Sequence, residues 1–130
     1  MHRVLIVDDH VYVRRGVRGI LDQLPDWEIC GEAANGKEAI RLNEELKPDI
    51  LVMDISMPEM DGLEAARIIR RTHPKTRIIL LTLHNSQELI KTALRAGASG
   101  YVLKSDAEEE LVAALHAVAK EETYISTKSR

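Results

Sequence analysis

Short runs of aliphatic residues alternate along the chain with longer segments in which apolar residues recur at helical spacing. Several runs carry apolar side chains at consecutive positions, which is typical of strands covered on both faces. The runs are "RVLIV", "WEICGEA", "DILVM", "RIILL" and "GYVL". The pattern predicts five strands and five helices in strict alternation, and therefore an α/β fold in which one parallel sheet has helices on both faces.

Capping residues mark several helix ends independently of this periodicity. A capping side chain stands three residues before a glutamate at Asn35, Asp61 and Ser105, which is the capping-box spacing. Gly97 directly follows "LIKTALRA" and suits the left-handed conformation that ends many helices. These signals predict helix starts after residues 35, 61 and 105 and a helix end before residue 97.

Length and composition restrict the classes of protein that need consideration. The chain has 130 residues, 45% hydrophobic and 30% charged, which suits one globular domain with its own core. It contains one cysteine, Cys30, so composition does not indicate an oxidising compartment. No apolar window has the length of a membrane span, and we expect a cytoplasmic protein without membrane contact. A net charge of −3 and few aromatic residues argue against direct binding of nucleic acid.

Polar side chains follow four of the five predicted strands. Because the carboxyl ends of parallel strands converge in a crevice where the strand order reverses, we expect these side chains to lie together. They are Asp8 and Asp9, Asp54, Thr82 and Lys104. Taken alone, the acidic pair would be an ordinary strand-end turn, but the complete set favours a functional site.

The charge of this set predicts a divalent cation. Three carboxylates within ~5 Å of one another would repel by a few kcal/mol per pair, and one lysine cannot offset that. Mg²⁺ prefers carboxylates, a carbonyl and water, and leaves a position for a phosphate oxygen. We assign the metal mainly to Asp8 and Asp9, with Asp54 as a shared ligand and Mn²⁺ as a second option.

Asp54 is then the candidate nucleophile for phosphoryl transfer. A carboxylate beside a metal ion and a lysine can attack phosphorus, because both cations neutralise charge on the phosphoryl oxygens. Thr82 would donate a hydroxyl and Lys104 an ammonium to those oxygens. A general base is not required, since the carboxylate is already ionised at neutral pH.

Four motifs carry a resemblance to a known family over nearly the whole chain. They are "VLIVDDH", "MDISMPEMDG", "LLTLH" and "GYVLKS". In this order, they resemble the receiver domain of bacterial two-component response regulators. The resemblance implies a flavodoxin-like (βα)5 fold with a doubly wound, five-stranded parallel sheet in the order 2-1-3-4-5.

The resemblance also implies roles for individual residues. A sensor histidine kinase would phosphorylate Asp54, with magnesium held by Asp8 or Asp9, Asp54 and the backbone carbonyl of Ser56. Thr82 and Tyr101 would act as a switch pair that remodels the face of the fourth helix, fifth strand and fifth helix. Phosphorylation would then promote a homodimer, with this face, the first helix or the fifth helix as the alternative interfaces. The protein would not be an enzyme beyond accepting a phosphoryl group and slowly losing it.

The segment "KSDAEEELVAALHAV" and the tail "ETYISTKSR" are similar to the NarL/FixJ (LuxR-type) subfamily. This similarity implies a receiver domain at residues 1–122 and, at 123–130, the start of a linker to a C-terminal helix-turn-helix domain. DNA would be bound through that domain alone, and transcription would be the regulated process. Leu83 departs from the small residue that many receivers carry after the switch threonine, and we expect it to restrict access to the phosphoryl group.

Three other functions are compatible with parts of this pattern. A haloacid-dehalogenase-like, Mg²⁺-dependent phosphatase also uses a strand-end aspartate, but its second acid would fall at Ser56. A flavodoxin-like cofactor binder would need a phosphate-binding loop where "DDHVYVR" stands. A docking receiver that is not phosphorylated would not need the complete acid, hydroxyl and lysine set. The five histidines lack metal-ligand spacing and are interpreted as surface or loop residues.

Overall fold

The computed structural model describes residues 1–126, and the last four residues of the predicted linker lie outside the described part. The strands are β1 (His2–Val7), β2 (Trp27–Ala33), β3 (Ile50–Asp54), β4 (Arg77–Thr82), β5 (Gly100–Leu103) and β6 (Tyr124–Ile125). The helices are α1 (Val11–Leu21), α2 (Gly36–Leu46), α3 (Gly62–Thr72), α4 (Gln87–Arg95) and α5 (Ala107–Ala119), with a 3₁₀ turn at Lys104–Asp106.

All neighbouring strands are parallel, in the order β2-β1-β3-β4-β5-β6. The predicted fold class and the order 2-1-3-4-5 are therefore confirmed. The sheet also has a sixth strand, which the periodicity did not predict because two residues are too few to show a period. Its residues pair with β5, the Tyr124 backbone N–H donates to the Ser99 carbonyl (2.9 Å) and the Tyr124 hydroxyl donates to Glu110. Burial and the Glu110 carboxylate raise the pKa of Tyr124 to about 12.

Two hydrophobic cores lie on opposite faces of the sheet. One core contains Leu5, Leu51 and Leu80 beneath α2, α3 and α4. The other contains the alternate strand residues, such as Ile6 and Val52, beneath α1 and α5. Both faces of the central strands are buried, which explains why these strands are apolar at consecutive positions.

Two of the three predicted capping side chains form the expected hydrogen bond. The Asn35 side chain accepts from the Glu38 N–H (2.9 Å) and the Asp61 side chain accepts from the Glu64 N–H (2.9 Å). Gly97 has φ 100° just after α4, as predicted. The prediction for Ser105 is wrong. A capping residue needs extended backbone, whereas Ser105 lies inside the 3₁₀ turn and α5 begins at 107.

Candidate functional site

The carboxyl edge of the sheet brings together the side chains that follow its central strands. Asp8 comes directly after β1, Asp54 ends β3, Thr82 ends β4 and Lys104 comes directly after β5. The chain runs from β1 outward to β2 and then returns to β3 on the other side of β1. The strand order therefore reverses between β1 and β3, and a crevice opens there at this edge. The sheet therefore provides the convergence that the sequence predicted.

Lys104 lies between two buried carboxylates. Its Nζ is 3.1 Å from Asp8 Oδ2 and 3.2 Å from Asp54 Oδ2. The side chain of Asp8 is 1% exposed, that of Asp54 is 4% exposed and that of Lys104 is 14% exposed. One cation thus neutralises only part of the charge of two acids held in a poorly solvated pocket.

Burial and neighbouring charges shift the pKa values of Asp54 and Lys104. Desolvation and the neighbouring Asp8 raise the pKa of Asp54, although Lys104 and the Ser56 N–H oppose the shift. Burial acts to lower the pKa of Lys104, but contact with Asp8 and attraction by Asp54 outweigh it, and the pKa is raised. The lysine is therefore charged at neutral pH. Its charge does not fully offset the effects of burial and of the Asp8 carboxylate on Asp54.

The turn after β3 approaches Asp54 closely and fixes its position. The Gly62 N–H donates to the Ile55 carbonyl (2.7 Å), and a Cβ at Gly62 would lie 2.2 Å from the Asp54 carbonyl oxygen. The Ser56 N–H donates to Asp54 Oδ1 (3.3 Å). Only glycine permits this approach, so the start of α3 helps to position the carboxylate.

The acidic turn after β1 is held by basic residues of α1. Arg14 donates from Nη1 to the Asp8 carbonyl (2.6 Å) and from Nε to Glu32 Oε1 (2.9 Å). Arg18 also pairs with Glu32, and its hydrogen bond is the largest cause of the lowered pKa of Glu32. This network ties the main chain at Asp8 to β2.

Asp8, Asp9, His10 and Asp54 form an acid and imidazole cluster. Each offers one ligand atom, and these atoms all lie within 4.8 Å of one another. His10 Nδ1 is 3.2 Å from Asp8 Oδ1 and 3.2 Å from Asp9 Oδ1. His10 is an exposed residue between β1 and α1, as the interpretation of the histidines as surface or loop residues expects, but that interpretation did not anticipate its place in this cluster. Its position next to the acidic pair in "VDDH" was the available signal.

The cluster fits a divalent cation. Asp8 Oδ2 is buried and, within residues 1–126, accepts no well-directed hydrogen bond, despite its ion pair with Lys104. Three carboxylates with one lysine leave an excess of negative charge that a metal ion would balance. Asp8, Asp9 and Asp54 are the residues that could hold it, and carboxylate oxygen is the ligand that Mg²⁺ prefers.

Thr82 and Tyr101 are connected through one loop residue. The His84 N–H donates to the Thr82 hydroxyl (3.1 Å), and the Tyr101 hydroxyl donates to the His84 carbonyl (2.7 Å). Tyr101 is completely buried, so its ring points into the core. Burial raises the pKa of Tyr101, and contacts with Thr82 and the Ser86 backbone oppose this.

Leu83, which stands between Thr82 and His84 in the chain, is 75% exposed and projects into solvent. With His10, Tyr12 and Lys104 it lines a groove of about 600 Å³ between α1 and the start of α5. Its expected effect on access to the phosphoryl group stays a prediction.

The family model of the response regulator receiver domain matches residues 4–116. The chain belongs to the response regulator receiver family. It is 48% identical over 111 residues to the transcriptional regulatory protein YdfI of Bacillus subtilis, covering 85% of this chain and 52% of YdfI. It is 40% identical over 123 residues to the nitrate/nitrite response regulator protein NarL of Escherichia coli, covering 95% of this chain and 57% of NarL.

A solved relative places this receiver more narrowly. A two-component response regulator of the LuxR family from an Aurantimonas strain superposes with a TM-score of 0.93 at 40% identity, covering 98% of this chain and 91% of that one. The predicted NarL/FixJ (LuxR-type) relationship is confirmed. The receiver spans about half the length of the curated relatives it matches. Within residues 1–126, the receiver has no helix long and apolar enough to cross a membrane.

Proposed function

We propose that this receiver is the phosphoacceptor domain of a two-component response regulator, and that Asp54 accepts a phosphoryl group from a phosphohistidine of a sensor kinase. The observation that carries the proposal is the placement of the buried Asp54 carboxylate beside Asp8, with Lys104 Nζ 3.2 Å from Asp54 Oδ2. Such a pocket combines an acidic nucleophile with a fixed cation for the transferred group.

The transfer balances without a general base. A carboxylate oxygen of Asp54 forms a bond to phosphorus as the bond from phosphorus to the imidazole nitrogen of the kinase breaks. The electron pair leaves with that nitrogen, and the product at Asp54 is an acyl phosphate. Lys104 neutralises charge on the phosphoryl oxygens, and the Thr82 hydroxyl, at the end of the adjacent strand, donates to one of them.

Asp8, Asp9, Asp54 and the Ser56 carbonyl would hold Mg²⁺, with Mn²⁺ as a second option. When bound, the cation supplies positive charge that offsets the charge of the phosphoryl oxygens. The chain's own residues would fix the carboxylates in place, because Arg14 holds the Asp8 main chain and Gly62 lets α3 approach Asp54.

The Thr82–His84–Tyr101 connection supports a switch. If the Thr82 hydroxyl turns to a phosphoryl oxygen, it gives up its hydrogen bond from the His84 N–H (3.1 Å). The same residue accepts the hydrogen bond of Tyr101, so the loop between β4 and α4 must adjust. The face formed by α4, β5 and α5 would change with it and promote a homodimer.

By this proposal, the dimer would control transcription through an attached C-terminal DNA-binding domain. The linker to that domain would follow β6 rather than begin at 123, since Tyr124 and Ile125 pair with β5 as part of the receiver sheet. The receiver would act as a regulated module and not as an enzyme with turnover. A location in the cytoplasm stays a prediction from composition.

Intact-mass spectrometry after incubation with acetyl phosphate and Mg²⁺ tests the phosphoacceptor role. We expect the mass of one added phosphoryl group, absent in Asp54→Ala and in chelator, and retained in the control Asp26→Ala, whose side chain is exposed. An unlabelled wild-type protein, or labelling that survives Asp54→Ala, would contradict the proposal. Sedimentation with and without beryllium fluoride tests the dimer, which is refuted if the oligomeric state does not change.

A further inference from the structure

The ring of His10 is placed as a metal ligand would be. Its Nδ1 lies 3.2 Å from Asp8 Oδ1, which is within hydrogen-bond distance, and 3.2 Å from Asp9 Oδ1. Two ligand atoms at right angles on bonds of roughly 2.1 Å are separated by about 3 Å, so both spacings suit neighbouring positions around one ion. Asp54 adds a further oxygen within the 4.8 Å limit of the cluster.

Local structure holds the ring in this position. The His10 N–H donates to Asp8 Oδ1 (2.9 Å), which binds the main chain at residue 10 to the acidic turn. His10 is also the residue before α1, and its ring packs against that of Tyr12 at a centroid distance of 5.5 Å. The imidazole is 47% exposed, so one side of it stays open to water or to a phosphoryl group.

We propose that His10 Nδ1 is a ligand of the cation site, and that this receiver therefore favours first-row transition-metal ions such as Mn²⁺, Co²⁺ and Zn²⁺ over Mg²⁺. The inference rests on the cation site of the proposed function and adds to it a nitrogen donor. Mg²⁺ is a hard ion that takes oxygen ligands, whereas imidazole suits the transition metals.

A second observation points to a ligand at the same place. Asp8 Oδ2 is buried and faces Lys104 Nζ at 3.1 Å, but in the described part of the chain it accepts no hydrogen bond of good geometry. The carboxylate is 1% exposed, so solvent does not satisfy this oxygen. An ion bound by Asp8, Asp9 and His10 would give this oxygen a second positive partner beside Lys104.

In the competing arrangement, His10 Nδ1 only forms a hydrogen bond with Asp8 Oδ1 (3.2 Å), and the ring occupies a position that an ion would need. The two arrangements predict opposite effects of its removal. Loss of a ligand weakens binding of transition metals and leaves Mg²⁺ nearly unchanged. Loss of a ring that only occupies this position strengthens the binding of every divalent ion.

Calorimetric titration of the chain with Zn²⁺ and with Mg²⁺ distinguishes direct ligation by His10 from the competing arrangement. We expect His10→Ala to weaken Zn²⁺ binding by at least about 10-fold and to change Mg²⁺ binding by less than about 2-fold. The control His73→Ala removes an imidazole that pairs with Glu44, outside the cluster, and should leave both affinities unchanged. Equal changes for the two metals, or tighter binding of both, would overturn the proposal.

Pulsed EPR of the Mn²⁺-loaded wild-type protein keeps the test independent of whether the variant folds. We expect nitrogen coupling from a directly bound imidazole, lost in His10→Ala and retained in His73→Ala. Bound Mn²⁺ without nitrogen coupling would refute the inference. Labelling of the wild type by acetyl phosphate with Mg²⁺ is measured in parallel, so a failure of this inference is distinguished from a failure of the phosphoacceptor role.

Discussion

Replacement of Lys104 by methionine tests the charge balance of the pocket. Its ammonium lies 3.1 Å from Asp8 Oδ2 and 3.2 Å from Asp54 Oδ2, and both acids are almost fully buried. Methionine keeps much of the side-chain volume but removes the cation. The variant therefore leaves two buried carboxylates next to each other with the neutralising lysine removed.

The cost of this change has an upper limit set by protonation. At an effective dielectric constant of about 20, each contact of the lysine corresponds to about 5 kcal/mol of gross attraction, before desolvation is subtracted. At pH 7 a carboxyl with an ordinary pKa of 3.8 can instead take up a proton, at a cost of about 4 kcal/mol. We expect the free energy of unfolding to fall by about 2–4 kcal/mol at pH 7 in the absence of divalent ions.

The same argument predicts a pH dependence with a definite sign. Without Lys104 the pKa of Asp54, already raised, rises further, so between the ordinary pKa of 3.8 and the raised pKa the folded state binds more protons than the unfolded state. The stability of the variant therefore falls as pH rises through this range. At pH 5 protonation of a carboxyl costs only about 1.5 kcal/mol, and we expect less than half of the destabilisation seen at pH 7.

Urea unfolding, followed by the fluorescence of Trp27, the single tryptophan, measures the loss of unfolding free energy at pH 7 and at pH 5. The control Lys91→Met removes an exposed lysine on α4 and should change stability by less than about 0.5 kcal/mol. A loss below that size for Lys104→Met, or the same loss at pH 5 and pH 7, would refute the reasoning.

Three further substitutions test the supports of the site. Gly62→Ala should destabilise by about 2–3 kcal/mol and slow labelling by acetyl phosphate, because its Cβ would lie 2.2 Å from the Asp54 carbonyl oxygen. In the control Gly16→Ala the new Cβ has nothing within 4 Å, so this variant should stabilise α1 slightly. Equal effects of the two substitutions would contradict this. Asp61→Ala should cost about 1 kcal/mol in urea unfolding through loss of the α3 cap, whereas Ser105→Ala should cost less than half of that; a larger cost for the serine would contradict the observed start of α5. Tyr101→Phe removes the hydroxyl that donates to the His84 carbonyl (2.7 Å), and the free energy of unfolding should fall by about 1 kcal/mol. Hydrogen exchange in the loop between β4 and α4 should become faster. Unchanged exchange would count against the proposed connection to Thr82.

The strand ends were predictable because burial on both faces leaves a clear signal in the sequence. A central strand that is apolar at every position must stop where polar side chains begin, and Asp54 and Thr82 are the last residues of β3 and β4. Parallel geometry then requires their carboxyl ends to share one edge. The approximate location of the site follows from periodicity alone, but the strand order did not, since it came from family resemblance.

Other features depend on contacts that no periodicity records. The position of the His10 ring is set by a hydrogen bond of its own backbone and by packing against Tyr12. The 3₁₀ turn that displaces the start of α5 follows β5 directly, and it leaves Ser105 in a helical turn where it cannot cap. The two-residue β6 is defined only by its pairing with β5.

Site mapping of the acyl phosphate tests the central claim most directly. After incubation with acetyl phosphate and Mg²⁺, reduction with borohydride converts a phosphorylated aspartate to homoserine, which peptide mass spectrometry locates. The account predicts homoserine at position 54 and unchanged aspartate at Asp8 and Asp9. Homoserine at either of those two positions, with Asp54 unmodified, would contradict it.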